Sequence, residues 1–364
     1  MTGKTINYYA GGNTAKGFYD LMESNLQGMN HIIILQSGPD NAKSKIMEKL
    51  ADTWGSKGFD LEIIHSASNN ESYDGIIFPQ VKWAIVDGST PYHIQPKAIG
   101  AIEQYMNLGS AWNTSLLINH REAILALESQ KKEVIQLAYD SFKKGLRIHD
   151  DLEDIYIKEM NFSKANELTN ELNNKIFLGK QSESKKSEIK HRFFGASTPE
   201  GVIDFIPNIT DGLSKRFFIK GRAGTGKSTL LKKIATTAEE RNFNVEMYHC
   251  GFDPDSIDMV IIRELGICVF DSTDPHEYFP NRHGDEIIDL YEKTVSPGTD
   301  ERYEIEIQSV TKRYKQRMKE GINYLQEAKD LDDQLKNIYL TATDFSVIDD
   351  LYEKINTSLE ALTE

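Results

Sequence analysis

Hydrophobic and polar positions follow one order twice along the chain. A short apolar strand pattern, "TINYYAG" (5–11) or "HRFFGAS" (191–197), leads to a helical segment and then to an apolar strand, "HIIIL" or "RFFIK". A helix with apolar residues three and four apart comes next, "KSKIMEKLADTWG" (43–55) or "KSTLLKKIATTAEER" (227–241). Strand patterns "LEIIHS", "GIIF" and "KWAIVD" follow in the first stretch, and "VEMYHC", "MVII" and "GICVFD" in the second. Strands alternating with helices predict an α/β fold: a mainly parallel sheet flanked by helices.

The two stretches are copies. A shift of 184 residues aligns 11–96 with 195–280 without a gap, and 19 of the 86 positions are identical. The matches include Gly17/Gly201, Asp20/Asp204, Lys43/Lys227, Ser44/Ser228, Asp74/Asp258, Asp87/Asp271 and Pro91/Pro275. The similarity returns one residue out of step in "LEDIYIKEMNFSKANEL" (152–168) and "LKNIYLTATDFSVIDDL" (335–351). A tandem duplication of one lobe follows, with the boundary near residue 184 in the polar, linker-like "GKQSESKKSEIKHR" (179–192). The halves are 1–183 and 184–364, each closing with a helical arm, about 110–178 and about 300–362. Leu152, Ile155 and Tyr156 share one helix face, as do Leu335, Ile338 and Tyr339. The simplest expectation is a helical hairpin packed on its own lobe; the alternative is an arm that engages a protein partner.

Charge and composition narrow the function classes. The formal net charge of −14 argues against a broad cationic surface for nucleic acid or an anionic membrane. No apolar run approaches the length of a membrane span, so a soluble cytoplasmic protein is expected. Cys250 and Cys268 lie in apolar runs without metal-ligand or CxxC spacing and read as buried thiols.

The chemistry concentrates in "GRAGTGKS". Gly221, Arg222, Ala223, Gly224, Thr225, Gly226, Lys227 and Ser228 match the phosphate-loop pattern GxxxxGK[ST], between an apolar strand and a helix. The glycines let the backbone curl so that several N–H groups meet phosphate oxygens. Lys227 can reach the outer phosphates, Ser228 can ligate Mg²⁺, and the helix N-terminus favours negative charge. Asp271, closing "GICVF", suits the acid that holds the magnesium ion or its water; its alternative is a turn cap. The first copy reads Ser37, Gly38, Pro39, Asp40, Asn41, Ala42, Lys43, Ser44: the glycines have left their places and Asp40 adds a carboxylate. One working site and one degenerate site are expected, with Lys43 pairing with Asp40 or Asp87.

The degenerate copy also separates folding from chemistry. Residues shared by both halves can be explained by the fold, whereas His276 and Glu277 stand where the first copy has Tyr92 and His93. Either can order a water or sense the terminal phosphate. Ser272 follows Asp271, so no glutamate marks the general base there. Arg222, Arg263 and Arg282 are candidate transition-state cations, and spacing selects none.

The segments "FFGASTPEG", "GRAGTGKSTLL", "HCGFDPDSIDMVII", "FDSTDPHEYFP" and "IVDGSTPYHIQPK" together resemble a family of cytoplasmic P-loop ATPases of unassigned biological role from spore-forming bacteria, in which one polypeptide holds two P-loop-like halves. The resemblance spans nearly the whole chain. It implies a P-loop NTPase fold, ATP as nucleotide and Mg²⁺ as its ion, with Thr229 joining the residues of the loop. Arg263 departs from it, since a proline like Pro79 is expected there. Three functions are then open: slow ATP hydrolysis in the second half that changes the angle between lobes, a small-molecule or nucleotide kinase whose lid supplies Arg313 or Arg317, and a nucleotide-gated protein-interaction switch.

Overall fold

The computed structural model describes residues 3–39, 42–183 and 186–363. The first half runs β1 (Thr5–Tyr8), β2 (Gly11–Thr14), β3 (Gly17–Asp20), α1 (Met22–Asn25), β4 (His31–Gln36), α2 (Ala42–Ser56), β5 (Leu61–His65), β6 (Tyr73–Phe78), β7 (Trp83–Asp87), β8 (Glu103–Asn107), α3 (Thr114–Asn119), α4 (Arg121–Glu159) and α5 (Phe162–Phe177). The second half repeats it: β9 (Ile189–Phe193), β10 (Gly195–Thr198), β11 (Gly201–Asp204), α6 (Ile206–Ile209), β12 (Lys215–Lys220), α7 (Lys227–Glu240), β13 (Val245–His249), β14 (Ile257–Ile262), β15 (Ile267–Asp271), β16 (Asp285–Asp289), α8 (Leu290–Thr294), α9 (Thr299–Arg302), α10 (Glu304–Ala342) and α11 (Phe345–Glu360).

Each half builds a six-stranded sheet, β1-β5-β6-β7-β4-β8 and β9-β13-β14-β15-β12-β16, so the strand order is the same in both. Within these sheets, β6 and β14 run against their neighbours and the other pairings are parallel; β2 with β3 and β10 with β11 form separate antiparallel hairpins. Successive side chains of a strand point to opposite faces, and both faces of these sheets are buried, so the strands read as unbroken apolar runs. Ile33 and Leu35 of β4 face α2, while Ile32 and Ile34 face a core shared with Phe218, Met259 and Phe270 of the second half. The halves also join through equivalent residues, for Tyr9 and Phe193 exchange backbone hydrogen bonds of 2.9 Å in both directions. The boundary near 184 lies outside the described residues. The linker reading ends earlier than expected, because Ile189–Phe193 is a strand and Arg192 is wholly buried, its guanidinium 2.6 Å from Glu62.

The last helix of each arm does not pack on its own lobe. Helix α5 buries Leu168, Leu172 and Ile176 against α7 and the sheet of the second half. Helix α11 buries Ile348, Tyr352 and Ile355 against α2 and the sheet of the first. The turns before them dock in the same exchanged sense: Asn161 N–H donates to Thr294 O at 2.7 Å, and Asn113 N–H to Ala342 O at 2.7 Å. An amphipathic face states that it is buried without stating against what, and here each half supplies the helix that seals the other's sheet. Helices α4 and α10, 39 residues each, run antiparallel beside one another. Lys131 meets Asp332 at 2.9 Å, Ser141 donates to Arg317 O at 2.9 Å, and Arg313 lies 3.6 Å from Asp151. Among the described residues, no helix is long and apolar enough to cross a membrane.

Candidate functional site

Strand β12 runs into a tight loop that ends at the first residue of α7. Gly224 and Gly226 have φ of +70° and +82°, which side chains with a Cβ rarely adopt. A Cβ at Gly221 would fall 2.6 Å from Thr225 Oγ1, whose hydroxyl donates to Arg222 O at 2.8 Å. The curl therefore depends on glycine at three places. Lys227 opens α7 and donates to Arg222 O at 2.7 Å; its Nζ lies 3.6 Å from Asp271 Oδ2. That approach follows from topology, because β12 and β15 are neighbours and Ile219 is paired with Asp271. Ser228 Oγ accepts the Ile257 N–H at 2.9 Å, tying α7 to β14.

Gly221, Arg222, Ala223, Gly224, Thr225, Gly226, Lys227, Ser228, Thr229 and Asp271 line one cavity of about 960 Å³. Its lining includes Asp258, a half-buried carboxylate of β14. Burial, and then the charge of Asp271, push Asp258 above the ordinary carboxylate range, although the Cys250 thiol donates to it. Cys250 thus stands on the cavity wall rather than in the core, its thiol raised by burial and by Asp258, while Cys268 is buried and both are free. His276 also lines the cavity: its Nδ1 lies 2.7 Å from Asp204 Oδ2 and its ring meets Phe194 edge-on at 4.9 Å. Burial alone would raise Asp204, but hydrogen bonds from His276 and Tyr278 hold it below the ordinary carboxylate range.

Other expected candidates are placed elsewhere. Glu277 does not line the cavity; it pairs with Lys220 at 3.1 Å. Arg263 is held by Glu246 at 2.6 Å, Arg282 donates to Thr210 O at 3.1 Å, and Arg317 pairs with Glu320 at 2.6 Å. Arg222 does reach the cavity, with Nη2 2.8 Å from Asp300 Oδ2. The wall that sequence spacing did not reveal comes from the first half: His149, Asp150, Glu153, Tyr156 and Ile157 of α4. Tyr156 OH donates to Asp300 at 2.9 Å, and His149 Nδ1 lies 3.6 Å from Glu153.

The equivalent place in the first half is filled by side chains. Lys43 Nζ sits 2.7 Å from Asp87 and donates to Ser89 Oγ at 2.7 Å, the closed pair expected of a structural lysine. Asp40 lies outside the described residues. Trp112 and Tyr339 cover Gly38, with ring atoms 2.9–3.2 Å from where its Cβ would stand. Tyr92, at the position of His276, is buried and donates to Asp74 at 2.5 Å. Comparison of the chain with protein-family models, with curated proteins and with solved structures finds no match.

Proposed function

We propose that the second half binds a magnesium nucleoside triphosphate, ATP foremost, and hydrolyses it slowly, while the first half serves a structural or regulatory role. The observation that carries this reading is the junction of β12, the glycine loop and α7. It combines a loop with two positive-φ glycines, a lysine at the helix start and an acid ending the neighbouring strand, all on one cavity wall. Backbone N–H groups at a helix N-terminus and one lysine are a ready receptor for phosphate. In this reading Gly221, Arg222, Ala223, Gly224, Thr225, Gly226, Lys227, Ser228 and Thr229 hold the nucleotide.

The donor set also suits magnesium. Ser228 and Asp271 offer hard oxygens, and among the described residues no three carboxylate, imidazole or thiol side chains gather as a metal cage. Mg²⁺ characteristically takes one or two protein oxygens and completes its shell with phosphate and water. When bound it would neutralise phosphate charge. His276, fixed by Asp204, is positioned to orient a polar group in the cavity.

The crossing of α4 onto the cavity favours a second reading, a nucleotide-gated switch with little turnover. Phosphate release from Mg-ATP without an acceptor tests both readings, and kinase action as well. Slow release that Lys227→Ala abolishes supports hydrolysis. Release only with an added acceptor supports the kinase, and saturable binding without release supports the switch.

A further inference from the structure

Helix α4 belongs by sequence to the first half, yet its last turns run along the glycine loop of the second. A Cβ at Gly226 would stand 3.7 Å from Met160 Cε, and one at Gly224 would stand 2.8 Å from Glu153 O. One turn further back on the helix lies His149, and there the cavity wall is aromatic. The His149 ring meets Tyr314 of α10 at 5.4 Å and Phe252, from the loop after β13, at 6.3 Å, while Phe252 and Tyr314 meet at 5.5 Å. All three are half-buried and line the same cavity as Lys227 and Asp271. The first half fixes Phe252: its carbonyl accepts the Ala15 N–H at 2.9 Å, and its Cζ lies 3.6 Å from where a Cβ at Gly145 would stand.

The duplication shows that the fold does not require these rings. Helices α4 and α10 have the same length, and a shift of 183 residues carries Lys131 to Tyr314 and His149 to Asp332. The contact equivalent to His149–Tyr314 is therefore the Lys131–Asp332 ion pair, at 2.9 Å. Phe252 is matched by Ser68. The same helix crossing is thus made elsewhere on a salt bridge, and the aromatic trio stands where the pair borders the cavity. Ser197 and Thr311 add hydroxyls to that wall. Burial lowers the His149 pKa, so its imidazole is a neutral ring at neutral pH. Aromatic side chains bind bases through the π-face that every base carries. The geometry points to a subsite for a planar nucleobase beside the glycine loop, formed by His149, Phe252 and Tyr314. The base belongs either to the nucleotide on the loop, in which case the inference rests on the nucleotide reading, or to a separate nucleoside.

Isothermal titration of the full chain with Mg-ATP, with Mg-tripolyphosphate, and with adenosine in the presence and absence of Mg-tripolyphosphate tests it. The variants are the paired exchange His149→Asp with Tyr314→Lys, which copies the ion pair of the other crossing, and Phe252→Leu, which keeps an apolar side chain without a ring. Both should bind Mg-tripolyphosphate as wild type does and the base-bearing ligand about tenfold more weakly, the scale of one lost base–aromatic contact. A loss confined to Mg-ATP assigns the base to the nucleotide itself; a loss confined to adenosine assigns it to a separate nucleoside. Unchanged affinity for every ligand overturns the subsite, as does an equal loss for Mg-ATP and Mg-tripolyphosphate. If wild type binds neither of those two, the nucleotide reading fails; the subsite then stands if adenosine binds and Phe252→Leu weakens it, and falls if adenosine does not bind.

Discussion

Replacing Gly224 by alanine should cost more than replacing Gly226, and the difference measures how firmly α4 sits on the loop. Both residues have left-handed backbone, φ +70° and +82°, so each alanine carries a conformational cost of about 1–2 kcal/mol. Beyond that the positions differ. At Gly226 the nearest atom to the new methyl is Met160 Cε at 3.7 Å, an ordinary contact. At Gly224 the methyl meets the Glu153 carbonyl at 2.8 Å and its Cα at 3.0 Å, helix backbone that cannot rotate away. Overpacking of this kind adds about 1–3 kcal/mol, giving about 2–5 kcal/mol in all for Gly224→Ala. Urea unfolding followed by far-ultraviolet circular dichroism reads both variants, with the slope compared to confirm that the unfolding reaction is unchanged. Adding Glu153→Ala should leave the excess in place, because the obstructing atoms are backbone. Equal costs at the two glycines would refute the seating of α4 on the loop.

Ile355→Ala, near the end of the chain, should destabilise the first half by about 2–5 kcal/mol, since Ile355 is fully buried in the core of that half. All three tryptophans, Trp54, Trp83 and Trp112, lie in the first half, so urea melts followed by tryptophan fluorescence detect the loss; an unshifted midpoint would contradict the arm exchange. Asp74 is buried, and burial followed by the charge of Asp87 raises it from 3.8 to about 7. The folded state therefore binds more protons than the unfolded state across that interval, and stability should fall as pH rises from about 4 to about 7. Asp74→Asn should flatten this part of the stability profile, and an unaltered slope would show that Asp74 does not titrate there.

What the sequence disclosed follows from the range of the forces involved. The glycine loop, Lys227, Ser228 and Asp271 were legible because a loop's chemistry is written in adjacent residues, and the strand ending in Asp271 is a buried apolar run. Strands β8 ("EQYMN") and β16 ("DEIID") escaped notice because they are half-polar and lie at sheet edges. The two hairpins are four-residue strands rich in glycine, too short for periodicity to show. The antiparallel direction of β6 and β14 has no local signature. Asp258 was assigned to folding because Asp74 matches it, yet the second half opens a cavity above it where the first half has Tyr92. Glu153 and Tyr156 come from about 70 residues upstream of the loop and from the other half, so no spacing rule connects them to it. The exchange of arms was hidden for a related reason: the duplication suggested that each hairpin serves its own lobe.

The account stands or falls on whether the second half alone takes nucleotide. Isothermal titration of Mg-ATP into wild type, Lys227→Ala and Lys43→Ala measures this directly. Lys227 lines the cavity and lies 3.6 Å from Asp271, whereas Lys43 is locked to Asp87 at 2.7 Å and the Trp112 and Tyr339 rings cover Gly38 of its loop. Wild type should bind one Mg-ATP. Lys227→Ala should bind it at least tenfold more weakly, the loss of one charged hydrogen bond worth about 1.5–3 kcal/mol. Lys43→Ala should bind as wild type does and lose only stability. Binding abolished by Lys43→Ala and spared by Lys227→Ala, or no binding by wild type, would contradict the assignment.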